Sequence, residues 1–143
     1  MTHTRKSRTG FTLVELMVVI VVIGLLAGLV APQIIGRVGD ARVATAKAQV
    51  ELIGVALENY RLDNGAYPTT NQGLSALRQR PAGFAGAPDW RGPYLKKSIP
   101  LDPWRRPYIY RFPDEKDPNG FSLMSLGRDG QPGGAGEDAD IGG

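Results

Sequence analysis

Residues 11–31, FTLVELMVVIVVIGLLAGLVA, form an apolar run of 21 residues in which Glu15 is the only ionisable side chain. This run restricts the chain more than any other feature. As an α-helix rising about 1.5 Å per residue it spans roughly 30 Å, the depth of a bilayer's hydrocarbon core. A secretory signal peptide does not fit, because its apolar stretch is shorter and is followed by small residues at a cleavage site. A plain signal anchor leaves Glu15 unexplained, since an acid within a membrane span is costly without a partner. Arg5, Lys6 and Arg8 precede the run and the next base is Arg37. The positive-inside rule therefore predicts a cytoplasmic leader over residues 1–10, a transmembrane helix over 11–31 and a translocated domain over 32–143.

Cleavage after Gly10 would give Glu15 a positive partner, because the new amino group at Phe11 lies one helical turn away, about 6 Å along the axis. Within one chain that pairing is cramped. Between staggered parallel helices the carboxylate of one chain meets the ammonium of its neighbour, and the acid becomes a register for self-assembly. Gly24 and Gly28 form a G-x-x-x-G pair that permits close backbone approach between such helices.

Beyond Pro32, which removes the backbone bond to Gly28 and should bend the helix, the pattern becomes amphipathic. Ile34, Val38, Ala41, Ala48, Leu52, Val55 and Ala56 recur at helical spacing among charged residues. The helix is predicted to end near Asp63-Asn64-Gly65, where Gly can cap it and Pro68 blocks continuation. Thr69-Thr70-Asn71-Gln72 resembles a capping box opening a short second helix through Leu74 and Leu77, ended by Pro81. Residues 82–103, rich in Gly and Pro, read as irregular connection. Tyr108, Tyr110 and Phe112 alternate with Ile109 and Arg111, and an apolar run over residues 121–126 follows the Pro118-Asn119-Gly120 turn signal. The expectation is an antiparallel hairpin packed on the helix. Trp90, Tyr94, Trp104, Tyr108 and Tyr110 are expected to fill the small core.

Composition excludes several functions. The net charge is +3, and removing the three leader bases from the 17 leaves 14 against 14 acids, so no basic face for nucleic acid is indicated. The only His is His3 and there is no Cys, which removes a histidine base and a thiol nucleophile from the body of the chain. Ser125 lies in Leu123-Met124-Ser125-Leu126-Gly127, which lacks the first Gly of a nucleophile elbow. An enzyme is not expected. The last 17 residues hold seven Gly and four acids with no base after Arg128. That composition fits a solvated, disordered terminus, or a Gly-turned loop whose hard oxygen donors bind calcium.

Gly10-Phe11-Thr12-Leu13-Val14-Glu15 followed by the apolar run resembles the leader junction of type IV pilins and type II secretion pseudopilins. Downstream, Tyr67-Pro68-Thr69-Thr70, Gln72-Gly73-Leu74, Gly92-Pro93-Tyr94-Leu95, Asp102-Pro103-Trp104, Tyr108, Ser125-Leu126-Gly127 and Asp129-Gly130 resemble, in order, the signatures of the major pseudopilins of type II secretion. Type IV and competence pilins, the alternative, usually close their C-terminal region with a disulfide. The departures are Arg105 and Arg106, where the family often has Gly and a small or polar residue, Pro118, and a chain ending soon after Ile141.

The resemblance implies an α+β pilin-like fold, with a long N-terminal helix on a small antiparallel sheet and a C-terminal calcium loop. It implies that a prepilin peptidase cuts between Gly10 and Phe11 and methylates Phe11. Glu15, Gly24, Gly28 and Pro32 would serve assembly. The subunit would wait in the inner membrane, N-terminus cytoplasmic and C-terminal domain periplasmic. A cytoplasmic ATPase and its inner-membrane platform would then build it, with minor pseudopilins, into a homopolymeric pseudopilus that exports folded proteins. One calcium ion is implied, with Asp129, Asp138, Asp140 and the Leu126 carbonyl as ligands.

Overall fold

The computed structural model describes residues 10–82 and 89–143, without the side chains of residues 30–36. The leader bases and the expected bend at Pro32 lie outside that description. The chain divides into two units, Met1–Val38 and Gly39–Gly143.

Within the first unit, Gly10, Phe11 and Thr12 are not helical and α1 (Leu13–Asn64) begins at Leu13. Nearly every described side chain here is exposed, including Phe11, Leu16, Ile20, Leu25 and Leu29. Among the described residues no helix is long and apolar enough to cross a membrane.

The second unit holds the core. Here α1 buries Ala46, Ile53, Ala56, Leu57 and Tyr60. Ile53, Ala56, Leu57 and Tyr60 follow the i, i+3, i+4, i+7 spacing of one helical face. This corrects the face expected from sequence, of which Ala56 is buried but Ala41, Ala48, Leu52 and Val55 are exposed. The helix carries two apolar stripes in this region, and the domain covers the one that contains Tyr60. The end of α1 is as expected: Gly65 takes φ 80° and donates its N–H to the Arg61 carbonyl at 2.8 Å. A left-handed residue there lets the chain reverse without a Cβ penalty.

Thr69 and Gln72 do form the reciprocal capping pair, Thr69 N to Gln72 Oε1 at 2.8 Å and Gln72 N to Thr69 Oγ1 at 3.3 Å. They close a turn, however, and the helix that follows is a 3-10 segment, Leu74–Leu77. Residues 78–82 and 89–103 are irregular. Strand β1 (Ile109–Arg111) pairs antiparallel with β2 (Ser122–Ser125), placing Tyr110 opposite Leu123. Strand β3 (Ile141–Gly142) adds to the other edge of β2, giving the order β1-β2-β3. Tyr108, Tyr110 and Leu123 face the helix core with Tyr67, Leu74, Leu77 and Leu95.

Aromatic edges lock this layer: Tyr67 meets Phe121 at 4.9 Å and Phe112 at 5.3 Å, and Tyr60 meets Tyr94 at 5.5 Å, all edge-on. Each such pair adds about 0.5–1.5 kcal/mol beyond burial. Trp90 and Tyr94 are partly buried against the core, as expected. Trp104 is not among the core residues, because its indole N–H points to Glu137 at 3.4 Å on the C-terminal loop.

Candidate functional site

Two regions carry the chemistry singled out from the sequence. At the start of α1, Glu15 accepts hydrogen bonds from Thr12 N at 2.9 Å and Thr12 Oγ1 at 3.0 Å, while its own N–H donates to Thr12 Oγ1 at 3.2 Å. This is a capping box: the acid satisfies backbone donors that the first helical turn leaves free. Glu15 thus has a neutral partner within its own chain, Thr12, which the sequence-based expectation of a positive mate did not include. The signal was present, Thr-x-x-Glu directly before an apolar run. Gly10 and Phe11 sit just before the cap, exposed, with Phe11 at 87%. A Cβ placed on Gly24 or Gly28 would meet nothing within 4 Å, so both faces are open in the single chain.

The C-terminal loop between β2 and β3 is ordered by hydrogen bonds. Its base rests on Asp102, which is 3% exposed. Asp102 Oδ1 accepts from Trp104 N at 3.0 Å and Arg106 N at 2.7 Å, and Oδ2 accepts from Ser125 Oγ at 2.6 Å. Ser125 Oγ in turn accepts from Gly127 N at 3.2 Å. Ser125 is therefore a fully buried structural hydroxyl linking the 102–106 turn to the loop. Arg106 spans the loop from below, donating from one guanidinium nitrogen to the carbonyls of Gly127 at 2.8 Å and Arg128 at 2.7 Å.

The expected cation ligands are arranged as follows. The Leu126 carbonyl accepts from Gly130 N at 3.1 Å. Asp129 Oδ1 accepts from Gln131 N at 2.9 Å, and Asp140 Oδ2 from Gly133 N at 2.9 Å. Asp138 is held by Arg128 in a two-pronged pair, Nε to Oδ1 at 2.9 Å and a terminal nitrogen to Oδ2 at 2.8 Å. That pairing raises the Arg128 pKa further. Among the described residues no three acids are gathered in the geometry of a metal site.

The backbone packs closely across the loop. Gly127, at φ 61°, lies so close to Glu137 O and Ala139 O that a Cβ would approach them to 2.6 and 2.8 Å. Only glycine fits there.

Glu137, which the sequence reading did not single out among the tail acids, anchors the loop to the helix. Its carboxylate lies 3.7 Å from both Arg42 and Arg128, and a Cβ on Gly39 would meet Oε1 at 2.5 Å. Gly39 is thus the notch in α1 that receives this side chain. Nothing in the helical periodicity marks it, because the contact joins residues far apart in sequence.

The family model for type II secretion system protein G matches residues 33–143, and that for the prokaryotic N-terminal methylation motif matches residues 5–31. The type II secretion system core protein G of Pseudomonas aeruginosa is 50% identical over 139 residues, 96% of each chain. That of Vibrio cholerae is 42% identical over 96% of this chain and 92% of its own. Among solved structures, the crystal structure of the major pseudopilin from the type 2 secretion system of enterohaemorrhagic Escherichia coli matches with a TM-score of 0.62 and 33% identity, over 76% of this chain and 90% of that one. The pilin-like α+β fold follows, and the chain belongs to the type II secretion system protein G family, the major pseudopilins.

Proposed function

We propose that residues 11–31 hold the chain in the inner membrane, with the leader cytoplasmic and residues 32–143 periplasmic, until a prepilin peptidase removes residues 1–10 and methylates Phe11. The mature subunit is then drawn by an inner-membrane platform and its ATPase into a helical homopolymer carrying minor pseudopilins. Growth of that filament exports folded proteins across the outer membrane. The role is structural rather than enzymatic, and nucleic acid is not a partner.

The observation that carries this reading is a helix whose apolar side chains stand exposed around one acid at its first turn. Such a surface is unfavourable in water and is satisfied by lipid before assembly and by copies of itself afterwards. In the second unit, Leu52 and Val55 add an exposed apolar stripe, Leu52 lining an open groove of about 640 Å³ with Tyr94, Leu95 and Pro100. Within the filament, Glu15 exchanges its Thr12 contacts for the Phe11 ammonium of a neighbour. Glu15→Ala should therefore leave membrane insertion intact and lower filament yield in electron microscopy. Equal yield would refute the register role. Intact mass of the mature chain tests cleavage and methylation together.

We also propose one structural calcium ion in the C-terminal loop. The donor set suits it, being all hard oxygen: the Asp129, Asp138 and Asp140 carboxylates and the Leu126 carbonyl. The ion would supply positive charge that joins carboxylates which otherwise repel. Calcium should raise the melting temperature of the intact chain relative to excess chelator, since binding favours the folded state. No shift would remove the metal from the reading.

A further inference from the structure

We propose that Arg128 is a built-in competitor of the loop's calcium ion, and that it sets how tightly this chain binds it; the inference rests on the calcium reading above. The guanidinium holds both oxygens of Asp138 at 2.9 and 2.8 Å and stands 3.7 Å from Glu137. A guanidinium and a calcium ion make the same demand on a carboxylate, but they cannot both use its two oxygens in the same plane. Asp138 can chelate a metal with both oxygens only after Arg128 has let go.

The surroundings favour the guanidinium while no metal is bound. Arg106 already satisfies the Gly127 and Arg128 carbonyls, so the backbone on either side of the Arg128 Cα is pinned while its side chain folds back onto Asp138. Arg128 N donates to the Glu137 carbonyl at 2.7 Å, which fixes the two strands of the loop against each other. Glu137 is shared with Arg42 and Trp104, and its carboxylate is therefore not free to replace Asp138 as the partner of Arg128. The Arg128 side chain is 56% exposed, with an open path to swing into solvent.

The consequence is a loop that keeps its shape without metal and binds calcium more weakly than its acids alone would allow. Removing Arg128 takes away both the competing bonds and a full charge beside a dication. In a water-like dielectric, repulsion between a unit charge and a dication a few ångströms apart corresponds to on the order of tenfold in affinity.

The test is calorimetric titration of calcium chloride into the intact chain in detergent, comparing wild type with Arg128→Ala and Arg128→Lys, with melting temperatures in chelator recorded for each. The expected result is binding at least about tenfold tighter for Arg128→Ala, with a lower melting temperature in chelator. Arg128→Lys, which keeps the charge but loses the two-pronged geometry, should fall between. It also serves as the test variant if the alanine chain does not fold. Measurable binding only in the variants supports the inference as well. Equal affinity in the wild type and the variants overturns it while leaving the calcium reading intact. Binding by none of the three overturns both.

Discussion

Replacing Asp102 by Ala tests whether the base of the C-terminal loop is held by one buried carboxylate. The substitution strands three donors: Trp104 N, Arg106 N and the Ser125 hydroxyl, the last fully buried. A buried unsatisfied donor costs about 1–3 kcal/mol and the two half-buried backbone donors cost less, so the three give roughly 5 kcal/mol. Removing a desolvated charge returns part of that, and a net loss of about 3 kcal/mol is expected. For a unit of this size each kcal/mol lowers the melting temperature by about 4 °C, which gives about 12 °C.

Trp104 lies in the affected turn, so its fluorescence follows the transition during thermal unfolding of the intact chain in detergent. Ser125→Ala alone removes two hydrogen bonds, the one it donates to Asp102 and the one it accepts from Gly127 N, and should cost about 2 kcal/mol. The double variant should cost about 1 kcal/mol less than the sum, because the stranded hydroxyl is gone. A shift below about 4 °C for Asp102→Ala, or strict additivity in the cycle, would show that water replaces the carboxylate and that the turn is held by something else.

Two further outcomes follow from single residues. Burial, with the neighbouring Asp102 charge, pushes the Tyr108 hydroxyl up to about 12 from its usual 10. A raised folded-state value contributes stability that is whole below pH 10 and is lost as pH rises through 12. Melting temperature should therefore fall across that window, and less steeply in Tyr108→Phe. The same slope in both would refute the assignment. Arg105 sits at φ 66°, in the left-handed region that favours glycine. Arg105→Gly relieves about 1–2 kcal/mol of backbone strain and returns about 0.5–1 kcal/mol of unfolded-state entropy. A rise of about 2–4 °C in melting temperature is expected, and a fall of that size would contradict it.

What the sequence made legible is what local chemistry controls. The end of α1 at Gly65, the irregular connection, the hairpin and the Thr69–Gln72 pair all depend on neighbours a few residues apart, and all are where periodicity and turn residues put them. The helix face was misread because α1 has apolar residues on two sides. Hydropathy alone does not say whether Ile53 and Leu57 or Leu52 and Val55 meet the domain. Strand β3 and the Glu137 notch at Gly39 were out of reach for a related reason: each depends on a partner that only the folded chain brings near. In the loop, the acids were legible as donors, but Arg128, which occupies Asp138, and Arg106, which holds the Gly127 and Arg128 carbonyls, were not. Arg106 was noted only as a departure and Arg128 only as the last base.

The cap formed by Thr12 and Glu15 also fixes where coiling stops. With Leu13 as the first helical residue, the Gly10–Phe11 peptide stays in open backbone, the form in which the proposed leader cleavage would need it. If the cap were absent, nothing would mark the start of the coil, and it could creep toward the leader and wind the Gly10–Phe11 peptide into it. The residue pair that begins the rod thereby also keeps the junction above it readable.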